Sequence, residues 1–202
     1  KGSIHSGVYQ VLLGEAGVRE AISRSEAGQY DVLAANRALA GAEIELVQEI
    51  AREMRLKNAL ADVLDDYDFI LLDCPPTLTL LTLNGLVAAE GVLVPMVCEY
   101  YALEGISDLV ATVRKIRQAI NPRLDIIGIV RTLYNSQSRL SQEVSEQLQS
   151  HFGRQLFTTT IPRNVRLAEA PSHGLPALAY DAKAKGTLAY LALADELLAR
   201  MA

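Results

Sequence analysis

The residues with the clearest chemical potential lie in Asp68-Phe69-Ile70-Leu71-Leu72-Asp73-Cys74-Pro75-Pro76. Phe69 to Leu72 run apolar without alternation, the pattern of a strand buried on both faces in a parallel sheet. The run stops at Asp73. Two prolines then carry the chain out of the sheet, because neither can donate a ladder hydrogen bond. Ligands of open α/β sheets bind beyond the carboxyl ends of the strands. A carboxylate there suits a magnesium–phosphate site, since hard cations take oxygen ligands. An aspartate ahead of a helix is equally suited to cap it. These residues alone leave both roles open.

Other reactive groups carry less. Cys74 and Cys98 fall at the ends of expected strands, with neither CxxC spacing nor a histidine cluster, and are expected as buried free thiols. His5 lies in a linker-like start. His173, between Ser172 and Gly174, invites a general-base role, but a turn histidine satisfied by backbone suits its setting better. Glu99 and Glu104 are two carboxylates that nothing in the sequence brings together, and no Ser-His-Asp arrangement stands out.

Several elements must position these groups. Val8 to Leu13, followed by Gly14, suits a short helix with a glycine cap. Val18 to Ile22 suits a further turn, Gly28 a break, and Tyr30 to Ala35 a short strand. A long helix is expected from about Ala42 to Leu64, with Val47, Ile50, Met54, Leu56, Leu60 and Val63 inward and a Glu53–Lys57 pair. Leu78 to Ala89 reads as a helix, and Gly91 to Cys98 as a buried strand whose ladder ends or bulges at Pro95.

The clearest helix runs from about Leu103 to Ile120 and is stopped by Asn121-Pro122. Ile126 to Val130 is a strand, and Ser141 to His151 a helix with Leu140, Val144, Leu148 and Phe152 spaced by four. Leu156 to Ile161 is a β-branched strand ended by Pro162. Arg163 to Asp181 has little periodicity. A last helix runs from about Lys185 to Met201, with Leu188, Leu191, Ala194, Leu198 and Met201 as its stripe. Alternating strands and helices predict an α/β fold, a mostly parallel sheet with helices on both faces.

At 202 residues and 22.0 kDa the chain is long enough for one domain, residues 1–202, without staples. Its apolar runs are far shorter than the about 18 residues of a membrane span. The net charge of −5 hides an asymmetry. Residues 1–113 hold 7 Lys and Arg against 17 Asp and Glu, whereas residues 114–202 hold 12 against 7. A basic half can carry an anion-binding face on an acidic protein.

Four phrases are more specific together than apart. They are Ala40-Gly41-Ala42-Glu43-Ile44-Glu45-Leu46-Val47, Asp73-Cys74-Pro75-Pro76, Cys98-Glu99-Tyr100-Tyr101-Ala102-Leu103-Glu104-Gly105, and the stretch from Ile161-Pro162-Arg163-Asn164-Val165-Arg166 to Ser172-His173-Gly174. In order and spacing they resemble the ParA/Soj family of chromosome and plasmid partitioning ATPases, from about Gly7 to the last helix. The resemblance implies a deviant Walker A P-loop ATPase that binds ATP and magnesium, dimerises, and coats DNA without sequence preference. A ParB-type centromere-binding protein then stimulates hydrolysis. It also implies a cytoplasmic, nucleoid-associated protein.

On that template Asp73 is the Walker B aspartate, holding magnesium through a water. Pro162, Arg163 and Asn164 line the nucleotide, and Glu99, Tyr100 and Glu104 contribute to the dimer face. Basic residues in the family's DNA-contacting region fall near Arg139, Arg166, Lys183 and Lys185.

The family's opening strand, its lysine-bearing KGGVGKT loop and its DxDPQ phrase do not occur in these 202 residues. Backbone N–H groups and lysines of that loop cradle the phosphates. The chain is therefore expected to lack the N-terminal strands and to be hydrolysis-incompetent alone, with no catalytic residue of its own. Nucleotide and magnesium are expected to belong to the intact protein, and a homodimer or strand-swapped assembly is expected to cover the exposed edges. The alternative is a non-catalytic DNA-binding or regulatory module of the same fold. Membrane docking of the MinD type is not expected, because Asp195 and Glu196 interrupt any basic face on the last helix.

Overall fold

The computed structural model describes residues 6–75, 77–100 and 102–201, and of 102–104 the backbone only. The chain divides into two compact units, residues 1–90 with 116–124, and residues 91–115 with 125–202.

In the first unit, α1 (Val8–Leu13) is closed by Gly14 in the left-handed conformation, as the glycine cap predicts. The short α2 (Val18–Ala21) leads into an antiparallel hairpin of β1 (Ile22–Ser25) and β2 (Tyr30–Leu33). The sequence reading finds the second of these strands and misses the first, whose Ser-Arg-Ser composition carries no apolar run. Next come α3 (Leu39–Leu46), α4 (Arg55–Leu60) and α5 (Leu80–Ala88). Val11, Leu12, Ala42, Leu46, Leu56, Leu60 and Val63 form the core of this unit.

The expected long helix from Ala42 to Leu64 is broken. Ala51 takes a left-handed φ of 51°, and a 3-10 turn at Arg52–Met54 separates α3 from α4. Arg52 donates to the Val47 carbonyl at 2.6 Å across the break. Apolar residues continue through this stretch at helical spacing, so periodicity alone runs over the interruption.

The second unit holds β3 (Gly91–Val97), α6 (Ala102–Ala119, its last turn in the first unit), β4 (Asp125–Tyr134), α7 (Arg139–Phe152), β5 (Leu156–Pro162), α8 (Val165–Glu169), α9 (Ala177–Tyr180) and α10 (Lys185–Met201). β3, β4 and β5 form a parallel sheet in that order. One face packs Met96, Ile129 and Leu156 against Ile106 of α6 and Val144 and Leu148 of α7. The other packs Val130, Phe157 and Ile161 against Leu193 of α10 and Leu167 of α8. The α/β fold with helices on both faces of a parallel sheet is thus the observed one.

Three expectations change here. Pro95 stays in register opposite Val130, and the irregularity falls at Val92/Leu93 instead. Its missing N–H is tolerated because β3 pairs only with β4 among the described residues. On α10 the residues facing inward are Gly186, Ala189, Leu193 and Leu197. Leu188, Leu191, Leu198 and Met201, the stripe expected to be buried, are exposed. On α7, Leu140 is likewise exposed while Val144 and Leu148 are buried.

Candidate functional site

The apolar run before Asp73 is extended but is not a strand. Among the described residues, 68–75 pair with no neighbour. Ile70 and Leu72 pack on the first unit's core, whereas Phe69 and Leu71 are 49% and 86% exposed. Period-two burial is what an extended segment shows when only one face is covered. A strand buried on both faces needs partners on both edges, and none is present among the described residues.

Asp73 follows, exposed. It does not cap the next helix. Thr79 does, its side chain accepting from the Thr82 N–H at 3.5 Å, and the Thr82 hydroxyl donates to the Thr77 carbonyl at 2.7 Å. The helix-cap alternative is thereby removed, and the carboxylate has no structural partner among the described residues. Cys74 is exposed rather than buried, although its sulfur lies over Gly85, where an added Cβ would meet it at 2.8 Å. Burial of that sulfur, and then the Asp73 carboxylate, push its thiol pKa up. Cys98 is buried and free, and burial raises its pKa too, with Arg131 opposing.

In the second unit the parallel order of β3, β4 and β5 puts their carboxyl ends at one edge of the sheet. Glu99 and Tyr100 follow β3 there, both exposed. Pro162 ends β5 opposite Tyr134, with Arg163 and Asn164 beyond it. Arg139 opens α7 after β4. This is where an open α/β sheet presents its ligand groups. The Asn164 side-chain oxygen Oδ1 accepts from the Leu167 N–H at 3.3 Å and caps α8, leaving its side-chain N–H groups for another partner. The Glu104 side chain lies outside the described residues, as do His5 and Pro76.

The cations divide by how they are already matched. Arg139 pairs with Glu143 at 2.9 Å, and Arg166 with Glu169 at 3.0 Å and Asp181 at 3.5 Å. Lys183 and Lys185 form no ion pair among the described residues. Gly186 sits so close to Leu167 and Asn164 that an added Cβ would approach them to 2.5 and 2.9 Å. That contact brings the start of α10, with Lys185, against the Asn164–Leu167 turn. His173 stacks on Tyr180, ring centroids 4.9 Å apart, and Tyr180 donates to Glu169 at 3.2 Å. A stacked ring, rather than the expected backbone partner, accounts for this histidine.

Sequence reasoning missed Asn121, Arg131 and Glu196. Arg131, half-buried in β4, donates to the Phe157 and Thr158 carbonyls and to the Ser145 hydroxyl at 2.7–3.1 Å. Glu196 of α10 accepts from the Thr158 and Thr159 N–H groups, both at 2.8 Å, and pairs with Arg200 at 2.8 Å. Each serves the fold. Arg131 alone carried a signal in the sequence, a charged residue next to the apolar run of its strand.

Among the described residues no group of three or more His, Cys, Asp or Glu could hold a metal ion. The donor set at Asp73 is one carboxylate. One carboxylate fits magnesium that keeps its waters and is held mainly by phosphate oxygens, and does not fit a cage built from protein.

Known proteins resemble this chain along nearly its whole length. The AAA domain family AAA_31 matches residues 1–126. A Pseudomonas putida protein is 54% identical over 200 residues, covering 99% of this chain and 76% of its own length. The chromosome-partitioning ATPase Soj of Treponema pallidum is 47% identical over 193 residues, 96% of this chain and 76% of that protein. The crystal structure of cobyrinic acid a,c-diamide synthase from Mycobacterium smegmatis superposes with a TM-score of 0.82 at 35% identity, over 97% of this chain and 73% of that one. The same enzyme is also known with an ATP analogue and magnesium bound. The chain belongs to the ParA/Soj family of chromosome-partitioning ATPases.

Proposed function

We propose that residues 1–202 act as one ATPase domain in DNA partitioning, binding ATP and magnesium, dimerising, and holding DNA without sequence preference in the intact protein. The observation that carries this is the uncommitted carboxylate of Asp73, in a family member whose Pro162–Asn164 strip lies at the carboxyl end of a parallel sheet. Magnesium, when bound, neutralises phosphate charge during phosphoryl transfer. Asp73 holds that ion through water. Pro162, Arg163 and Asn164 line the base, with the Asn164 amide N–H groups as donors.

Glu99, Tyr100 and Glu104 face the second subunit, and a ParB-type protein is the partner that stimulates turnover. Arg139, Arg166, Lys183 and Lys185 contact DNA phosphates. The protein acts in the cytoplasm on the nucleoid. No helix among the described residues is long and apolar enough to cross a membrane.

These 202 residues contain no lysine-bearing glycine loop. The polypeptide alone is therefore expected to show no ATP turnover above background in a phosphate-release assay. Turnover by the purified chain that Asp73→Ala abolishes would refute this expectation. In a form of the protein that does turn over ATP, Asp73→Ala should lower kcat by at least about a hundredfold, the scale of losing one main electrostatic contribution to the transition state. Unchanged kcat there would remove Asp73 from the site.

A further inference from the structure

We infer that Arg131 and Glu196 are positioning residues for the nucleotide base. Together they seat an irregularity in β5 that sets where Pro162, Arg163 and Asn164 stand, which presupposes that this strip lines the base as proposed above.

The irregularity lies in the pairing of β4 with β5. Ile129 is opposite Leu156 and Arg131 opposite Thr160, so two steps along β4 are matched by four along β5. From Arg131 to Tyr134, opposite Pro162, three steps are matched by two. Bulges are rare in parallel sheets, and they are over-represented next to active sites, where they re-aim a side chain. A strand rises about 3.3 Å per residue and changes face at each step. One residue more or less in this stretch would move Pro162 by that distance and turn the strip to the other face.

Side chains take up the backbone that the ladder leaves out. On the α7 side, Arg131 donates from Nη2 to the Phe157 and Thr158 carbonyls at 2.8 and 3.1 Å, and from Nη1 to the Ser145 hydroxyl at 2.7 Å. On the α10 side, Glu196 accepts from the Thr158 and Thr159 N–H groups, both at 2.8 Å. Arg200 holds Glu196 at 2.8 Å and donates to the Leu156 carbonyl at 2.9 Å. Gly128 makes the room, since an added Cβ there would meet the Phe157 ring at 2.4 Å and the Gln155 carbonyl at 2.6 Å.

Strain follows directly. Leu133 takes a left-handed φ of 50°, immediately before Tyr134, the partner of Pro162. A positive φ is a departure for a leucine, and such strain persists where its surroundings over-determine it, most often at ligand sites. A regular β5 would satisfy residues 157–159 through the ladder and would need neither the two charged side chains nor the strained leucine. What these features share is the placement of Pro162. The strip is held at a second point by the same helix, because Gly186 lets the start of α10 close on Asn164.

Glu196→Gln is the first test, since it keeps the side chain's size and one acceptor oxygen while removing the other. In a form of the protein that turns over ATP, it should raise KM for ATP severalfold and leave kcat unchanged well below Tm. A residue that only held the fold would cost active protein, lowering kcat at constant KM. Arg131→Lys, which keeps the charge and loses the planar fork, should act in the same direction, and circular dichroism checks that both variants fold. In residues 1–202, hydrogen–deuterium exchange should quicken at Thr158 and Thr159 and also at residues 161–164. Asn164→Asp keeps the oxygen that caps α8 and removes the side-chain N–H donors, so it should raise KM as well. Unchanged KM in Asn164→Asp would overturn both the role of the strip and this inference. Raised KM there, with KM unchanged in Glu196→Gln and Arg131→Lys or with exchange confined to Thr158 and Thr159, would overturn this inference and leave the role of the strip standing.

Discussion

Asn121 is 3% exposed, and its amide donates to the carbonyls of Leu86, Val87 and Ala89 at 2.7–3.1 Å. These are the orphan carbonyls at the C-terminus of α5, which an intrahelical ladder cannot satisfy. Asn121→Ala removes the side-chain donor to these three carbonyls, leaving the Ala89 N–H to Gly85 as the backbone bond at that end, so urea denaturation should show a loss of about 2–3 kcal/mol. A change under about 0.5 kcal/mol would mean that water replaces the amide without cost.

Glu196 makes a second prediction at this scale. Burial raises its pKa, but the Thr158 and Thr159 N–H groups and Arg200 outweigh that and hold it at about 2. An unfolded glutamate titrates near about 4.3. A depressed folded pKa stabilises above the unfolded value, and that stability is lost as pH falls from about 4.3 towards 2. The difference in Tm between the protein and Glu196→Gln should therefore be full at neutral pH and shrink through that window. A difference that stays constant down to pH 2 would show that the contact to β5 does not depend on the charge. Neither residue was legible in the sequence. Asn121 read only as a helix stop ahead of Pro122, and Glu196 as a charge excluding a membrane role, because their partners lie more than thirty residues away.

Among the elements, the segment before Asp73 departs furthest from what its composition suggests. Phe69 and Leu71 face outward from an extended stretch that pairs with no strand among the described residues. Unpaired extended chain with apolar side chains recruits another strand. The homodimer or strand-swapped assembly proposed above would answer this, and light scattering across concentration should show species above the monomer. Phe69→Lys with Leu71→Lys should shift the population to monomer. A monomeric parent chain at every accessible concentration would defeat the idea.

By contrast, β5 is not an open edge. Glu196 takes its N–H groups, while Arg200 donates to the Leu156 carbonyl at 2.9 Å and lies 3.7 Å over the Phe157 ring. Element type in the second unit was readable from the sequence, since the short apolar run Ile126 to Val130, the β-branched Leu156 to Ile161 and the helical period of the α6 stripe are each local signals. The face of α10 was not. Leu188, Leu191 and Leu198 form as good a stripe as Leu193, Leu197 and Ala189, and only the sheet beside the helix chooses between them.

At the scale of the molecule, the split between an acidic first half and a basic second half bears on DNA. Each phosphate contact contributes about 0.9 to the salt slope of binding to duplex DNA. Lys183→Ala with Lys185→Ala should lower that slope by about 2 if both contact phosphates. Arg139→Ala with Arg166→Ala should lower it less, because Glu143, Glu169 and Asp181 already match those charges. Slopes unchanged in both variants would place the DNA face elsewhere.

Fold class and family were both legible in the residue string alone. Alternation of strand and helix, and the long phrases around Asp73, Glu99 and Asn164, are local properties that survive without neighbours. Tertiary contacts alone set that residues 68–73 pair with no strand among the described residues, that the helix after Ala42 breaks at Ala51, and that Thr79 rather than Asp73 caps α5. Hydrophobic patterning records which side chains avoid water. It does not record whether a partner is there to cover them, and the segment before Asp73 turns on that difference.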